Sequence, residues 1–199
     1  MTGLRQLQRQ RVREAISAAA IRLFLERGFD EVPVTEVAAA AQVSKPTLFK
    51  YFPTKEDLVL HRIADHQGEH ARVVRQREPG QAPLAALRRH FAAGLARHDP
   101  VTGLNDHPEV MAFHRMVFAT PSLAARVSHY MAQDERALAE ALAESCDELT
   151  AGLLAAQVLA VQRVLARRNW EALADGVPLA DLEPEALRAA DRAFSLLPA

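Results

Sequence analysis

Apolar residues recur at helical spacing along almost the whole chain. Val12, Ile16, Ala19, Ala20, Leu23 and Phe24 open the series at the i, i+3, i+4 intervals of one helix face. They predict a first helix over residues 7–27, which Gly28 stops. Pro33 bars its continuation. Thr35 is then the expected N-cap of a short helix over 36–41, and Ser44 of another that ends near Phe52. Pro46 is tolerated in that second helix because it lies in the first turn. Pro53 breaks the pattern, and Thr54 opens a fourth helix expected to run to about Arg77, with Glu56 and Asp57 in the turn where the helix dipole favours acids.

The second half repeats the pattern on a larger scale. Leu84, Leu87, Phe91 and Leu95 stripe a fifth helix, and residues 99–108 read as irregular. Residues 109–119 form a short helix carrying Met111, Phe113, Met116, Val117 and Phe118. Pro121 and Ser122 start a long one, striped by Leu123, Val127, Tyr130, Met131, Leu138 and Leu142. Residues 149–170 are the most apolar helix, and Pro184 opens the last, with Leu187, Ala190, Phe194 and Leu197 on one face. The expectation is an all-α fold of nine helices and no strand.

Composition supports this. Among 199 residues there are 38 Ala and only 8 Gly, a strong bias toward helix. No apolar stretch approaches the roughly 18–20 residues of a membrane span, so no membrane partner is expected. Residues 1–13 are polar and basic, without the apolar segment of a secretory signal. Cys146 stands alone and cannot form an internal disulfide. The expected compartment is the cytoplasm.

Net charge is −1 but unevenly spread. Residues 1–78 hold 13 basic against 10 acidic side chains, and residues 79–199 hold 11 against 15. Arg5, Arg9, Arg11 and Arg13 precede the first acid, Glu14, and the chain's three lysines, Lys45, Lys50 and Lys55, fall within eleven residues. A basic front and an acidic back point to nucleic acid as partner of the front alone.

Residues 35–52 read as helix, three-residue turn, helix: a helix-turn-helix, whose second helix fits the major groove of DNA. Val34, Val37, Ala38, Ala41, Val43, Leu48 and Phe52 supply a small core with the first helix. Lys45, Thr47, Lys50 and Tyr51 are left facing outward, offering charge and hydroxyls to phosphates and base edges. Lys55 lies at the next helix start, where free N–H groups also attract phosphate.

Residues 11–60 resemble the tetracycline-repressor (TetR) family of transcriptional regulators. The run IRLFLERGF at 21–29 looks like that family's first helix and its glycine stop. Residues 35–52, followed by TKEDL at 54–58, look like its helix-turn-helix and the start of its linker helix. Carried over by position, the resemblance implies that Thr35, Ser44, Lys45, Pro46, Thr47, Lys50, Tyr51 and Lys55 contact DNA. It also implies a DNA-binding domain over 1–53 and a larger helical domain over 54–199 for dimerisation and ligand binding. The helices at 149–170 and 184–197 of two chains would form a four-helix bundle. The expected protein is a homodimeric repressor, without cofactor or bound metal, released from a palindromic double-stranded operator by a small-molecule effector. For that effector the resemblance points to Phe91, Phe113, His114, Met116 and Gln157. Gln157 interrupts an apolar run, and a buried amide needs a partner. Two positions depart from the family pattern. Gln42 stands where a turn glycine is usual, and Phe49 replaces a tyrosine that donates to phosphate; Phe49 reads as a core or stacking residue.

One motif competes. His66-Gln67-Gly68-Glu69-His70 has the H-x-x-E-H spacing of an inverted zinc protease. Read literally, His66 and His70 hold zinc and Glu69 is the general base of a hydrolase. The other readings are a metal-sensing regulator and a solvated or dimer-facing histidine face. A ligand-binding helical module without operator binding is a further alternative.

Overall fold

The computed structural model describes residues 2–198. It contains helices α1 (Thr2–Arg27), α2 (Val34–Ala40), α3 (Lys45–Tyr51), α4 (Asp57–Ala64), α5 (Glu69–Arg75), α6 (Pro83–Ala96), α7 (Pro108–Ala119), α8 (Pro121–Leu142), α9 (Glu148–Ala174) and α10 (Leu179–Ser195). A short 3₁₀ turn spans Pro100–Thr102, and no strand occurs among the described residues.

That makes ten α-helices among the described residues where nine were expected. The long helix expected from Thr54 to Arg77 is two, α4 and α5, broken at Gly68. Gly68 has φ +71°, and its N–H donates to Asp134 Oδ1 at 2.8 Å. A left-handed residue cannot continue a right-handed helix, and the distant carboxylate takes the N–H that a helical carbonyl would have used. Three smaller corrections concern helix starts. Pro33, not Thr35, is the N-cap of α2, because its extended backbone (φ −71°, ψ 149°) turns the chain two residues earlier. Glu56 is the N-cap of α4, and Thr54, two residues before it, accepts from the Asp57 N–H at 3.2 Å. Pro184 lies inside α10, which starts five residues before it at Leu179.

The chain forms two compact units, Met1–Asp65 with Ala112–Ser128, and His66–Met111 with His129–Ala199. In the first, α1 packs on α2 and α4, and α2 on α3. Ile16, Phe24, Leu48, Phe52, Leu58 and Leu60 are fully buried there, and the rings of Phe24 and Phe29 sit 5.0 Å apart. In the second, α10 packs on α6 and α9. Its core holds Leu87, Phe91, Leu95, Leu104, Leu138, Val158 and Phe194.

Helix α9 corrects another expectation. Its length and apolar composition are sufficient to cross a membrane, although only 28 % of the qualifying stretch is buried. The composition follows from two apolar faces. Ala151, Ala155, Val158 and Leu165 enter the core. Leu149, Leu153 and Val164 stay 73 %, 53 % and 63 % exposed on the opposite side.

Candidate nucleic-acid interface

Helix α3 is held by one side and offers the other. Leu48 is fully buried, as is Phe52 just beyond the helix end, and this i, i+4 pair pins α3 to the rest of the first unit. The Ser44 hydroxyl accepts from the Thr47 N–H at 3.2 Å and lies 2.8 Å from the Thr47 hydroxyl. Ser44 therefore caps α3 as expected, and Pro46 in the first turn costs no hydrogen bond. The turn before it places Gln42 at φ +55°. This left-handed residue closes the α2–α3 turn with Val43 N–H donating to Ala38 O at 2.9 Å. A non-glycine residue there costs roughly 1–2 kcal/mol.

Ser44, Lys45, Pro46 and Lys50 are exposed, and Thr47 and Tyr51 are half-buried. Thr35 is exposed in the first turn of α2. Phe49, read from the sequence as core or stacking, is 36 % exposed. The Lys45 ammonium sits 6.0 Å from its ring centre. Its position between the buried Leu48 and the exposed Lys50 was the available signal. Phe49 thus gives the outward face of α3 an apolar plane beside two cations, suited to a thymine methyl or a sugar face.

Two further features of this face were not foreseen. A groove between α1 and α3 is lined by Gln8, Arg9, Val12, Lys50 and Tyr51. The Arg9 guanidinium lies 6.0 Å from the Tyr51 ring centre, and that of Arg13 5.7 Å from the Phe52 ring centre. Part of the basic N-terminal segment is thereby fixed beside the recognition helix; the side chain of Arg5 lies outside the described residues. Lys55 behaves differently. Its ammonium donates to Asp30 O at 3.4 Å and sits 4.6 Å from the Phe29 ring centre.

The residues expected to bind an effector divide between the two units. Phe91 is buried in the second, 6.1 Å from the Phe194 ring, as part of its core. Phe113, His114 and Met116 are half-buried in the first. There His114 lies 4.5 Å from the Phe118 ring, and burial pulls its pKa down to about 4. Gln157 is not the interior amide that was expected. It is exposed, four residues from the exposed Leu153. The interior amides of α9 are Gln162 and Asn169. Asn169 donates to Thr102 O at 3.0 Å, and Gln162 accepts from His70 Nε2 at 2.6 Å.

The zinc reading loses its geometry at Gly68. His66 precedes α5 while His70 lies within it, so the two do not share a helical face. His66 Nδ1 pairs with Glu69 Oε2 at 2.7 Å, and His90 Nε2 with Glu69 Oε1 at 3.0 Å. Burial alone would raise the Glu69 pKa, but the hydrogen bond from His66 and the charges of His90, His66 and His70 bring it below the usual value.

Comparison with known proteins completes the picture. Residues 16–61 match the family described as bacterial regulatory proteins, tetR family. The HTH-type transcriptional regulator TcmR of Streptomyces glaucescens is 31 % identical over 180 residues, covering 87 % of this chain and 79 % of that protein. Among solved structures, native NalD, the secondary repressor of the MexAB-OprM multidrug efflux pump in Pseudomonas aeruginosa, superposes with a TM-score of 0.63 at 17 % identity. That match covers 94 % of this chain and 96 % of NalD. A TetR-family regulator from Streptomyces coelicolor gives a TM-score of 0.54 at 24 % identity, covering 94 % and 96 %.

Proposed function

The chain belongs to the tetR family of bacterial regulatory proteins and is a DNA-binding transcriptional regulator, and on that premise we propose that it is a homodimeric repressor released from a palindromic operator by a small-molecule effector. The observation that carries the DNA half is the outward face of α3. Lys45, Phe49 and Lys50 stand exposed on a helix pinned by Leu48 and capped by Ser44. Thr35, Ser44, Pro46, Thr47, Tyr51 and Lys55 are the further contacts we assign to phosphate and sugar, with residues 1–53 as the DNA-binding part and 54–199 as the dimerising and ligand-binding part. On this reading the protein works in the cytoplasm.

The homodimer is supported by the outer face of α9. Leu149, Leu153 and Val164 there, and Leu196 just past the end of α10, are 53–79 % exposed. Large apolar side chains in one stripe mark a surface that a partner covers. A second copy supplies the same stripe, as a two-fold interface requires. Two recognition helices then read half-sites about one helical turn apart, or a multiple.

The test is selection of genomic DNA fragments by the purified full chain, followed by shift assays at several salt concentrations. A near-palindromic consensus bound with strong salt dependence is expected. Recovery of no preferred sequence, or binding insensitive to salt, overturns the reading.

A further inference from the structure

Helix α3 has seven residues, and successive residues turn by about 100° around its axis. With Lys45 at zero, Phe49 falls at about 40°, Pro46 at about 100° and Lys50 at about 140°. All four are exposed. Leu48, at about 300°, is fully buried, and the half-buried Thr47 and Tyr51 come before it at about 200° and 240°. The outward arc of α3 therefore has a cation at each margin and an apolar centre made of the Phe49 and Pro46 rings.

The margins have matching neighbours. On the Lys50 side the positive charge continues onto α1, where Arg9 lines one groove together with Lys50 and Tyr51. The Arg9 guanidinium lies 6.0 Å from the Tyr51 ring centre. On the other side the Lys45 ammonium sits 6.0 Å from the Phe49 ring centre. A helix lying in the major groove has a phosphate backbone on either flank and base edges beneath its centre. The two lysines suit the backbones, and the apolar centre then meets the bases.

The chemistry of that centre limits what it can read. Neither ring carries a hydrogen-bonding group. The nearest hydroxyl on the helix, that of Thr47, is engaged by the Ser44 hydroxyl at 2.8 Å. An aromatic face carries negative charge density, so it gains nothing from a phosphate. On base edges in the major groove the apolar group is the C5-methyl of thymine. We propose that Phe49 is a specificity-determining residue that reads the C5-methyl of one thymine in each operator half-site. The proposal rests on the operator reading above and names the base. The Ser44 cap and the buried Leu48 hold the backbone of α3, so the ring is presented from a fixed helix, as a base contact requires.

The experiment uses the full chain and the operator selected with it. Each thymine is replaced in turn by deoxyuridine, which lacks the methyl and is otherwise the same. One position per half-site is expected to respond, with binding about four-fold weaker for one replacement and about fifteen-fold weaker for both. Phe49→Ala binds the operator more weakly and no longer distinguishes thymine from deoxyuridine at that position. 5-Iododeoxyuridine placed there and irradiated in the parent complex is expected to crosslink to Phe49, located by mass spectrometry of the joined peptide. The crosslink decides the matter even where Phe49→Ala fails to fold. The proposal is overturned if no thymine responds, if Phe49→Ala keeps the parent's response, or if the crosslink falls on another residue. Phe49→Ala weakening every sequence equally, with the deoxyuridine response intact, also overturns it and assigns the ring to a sugar face. A chain that selects no operator sinks the operator reading and the base contact together. An operator indifferent to all its thymine methyls sinks the base contact alone.

Discussion

Arg126 donates through Nη2 to Asp57 Oδ1 at 3.1 Å, tying α8 to the first residue of α4 within the first unit. The same carboxylate accepts from the Thr54 N–H through Oδ2 at 3.1 Å, and the Asp57 N–H donates to the Thr54 hydroxyl at 3.2 Å. One side chain thus closes a reciprocal cap and anchors a helix from elsewhere in the sequence. Asp57→Ala is expected to destabilise the fold by about 1–2 kcal/mol, mostly through the cap. Arg126→Ala, which removes a partly exposed ion pair, is expected to cost about 0.5 kcal/mol. Urea unfolding of both single variants and the double variant measures this; a double variant equal to the sum of the singles would mean that the pair is not coupled.

The lysines of α3 and the lysine before α4 should separate in their effects. Lys45 and Lys50 are exposed and available to phosphate. Each substitution by alanine is expected to lower the log–log salt slope of operator binding by nearly one unit. Lys55 is engaged with Asp30 and the Phe29 ring. Lys55→Ala should weaken all DNA sequences equally and also cost about 0.5–1 kcal/mol of stability. A loss of operator affinity with Lys55→Ala but unchanged thermal stability would show that the cation–ring contact contributes nothing.

The DNA-binding segment was legible because its signals are local. Ser44 as cap, Gln42 in a left-handed turn and Leu48 with Phe52 as the buried pair were all readable from residues within one turn of each other. The failures were set by partners far away in sequence. Gly68 costs only about 1 kcal/mol inside a helix, so the sequence favoured continuation; Asp134, sixty-six residues on, decides for the break. The choice between Gln157 and Gln162 depended on which face of α9 turns inward. The spacing Val158–Gln162–Leu165 was the available clue. It was masked because the opposite stripe, with Leu149, Leu153 and Val164, is just as apolar.

Gly103 permits the approach of the 3₁₀ turn to α9. A Cβ built on it would lie 1.9 Å from the Ala166 carbonyl oxygen, and its φ is +71°. Gly103→Ala combines a backbone clash with a left-handed side chain and is expected to cost roughly 3 kcal/mol or more. Gly28→Ala is the control. Its φ is +95° but the nearest atom, Glu31 Cγ, is 3.9 Å away, so only the conformational cost of about 1–2 kcal/mol applies. Equal losses of melting temperature in the two variants would refute the close approach at Gly103.

The outer face of α9 should determine assembly. Val164 is 63 % exposed, so Val164→Asp leaves the isolated chain largely unaffected. Once covered by a second copy, the unpaired carboxylate would cost several kcal/mol. Sedimentation is expected to show dimers for the parent and monomers for Val164→Asp, with operator affinity falling in parallel. Ala160→Glu, half-buried beside the same stripe, should act in the same direction. A dimeric Val164→Asp variant with full DNA affinity would exclude this face as the interface.

His114 should make stability depend on pH in a defined window. Burial lowers its pKa from 6.5 to about 4, so the unfolded chain binds this proton more readily than the folded one. Unfolding free energy therefore rises with pH wherever the unfolded state carries the extra proton. The contribution of the neutral ring is complete above about pH 6.5 and is lost progressively as pH falls toward 4. The full shift corresponds to a ceiling of about 3 kcal/mol; with the ring only half-buried, screening by solvent reduces this to roughly 1–2 kcal/mol. His114→Phe removes the titration and keeps a ring beside Phe118. Glu69, whose pKa is also lowered, loses its contribution in acid in both proteins and so cancels in the comparison. Between pH 7 and 4 the parent is expected to lose about 1–2 kcal/mol more than His114→Phe in urea unfolding. Parallel stability curves for the two proteins across that window would show that His114 is solvated rather than buried.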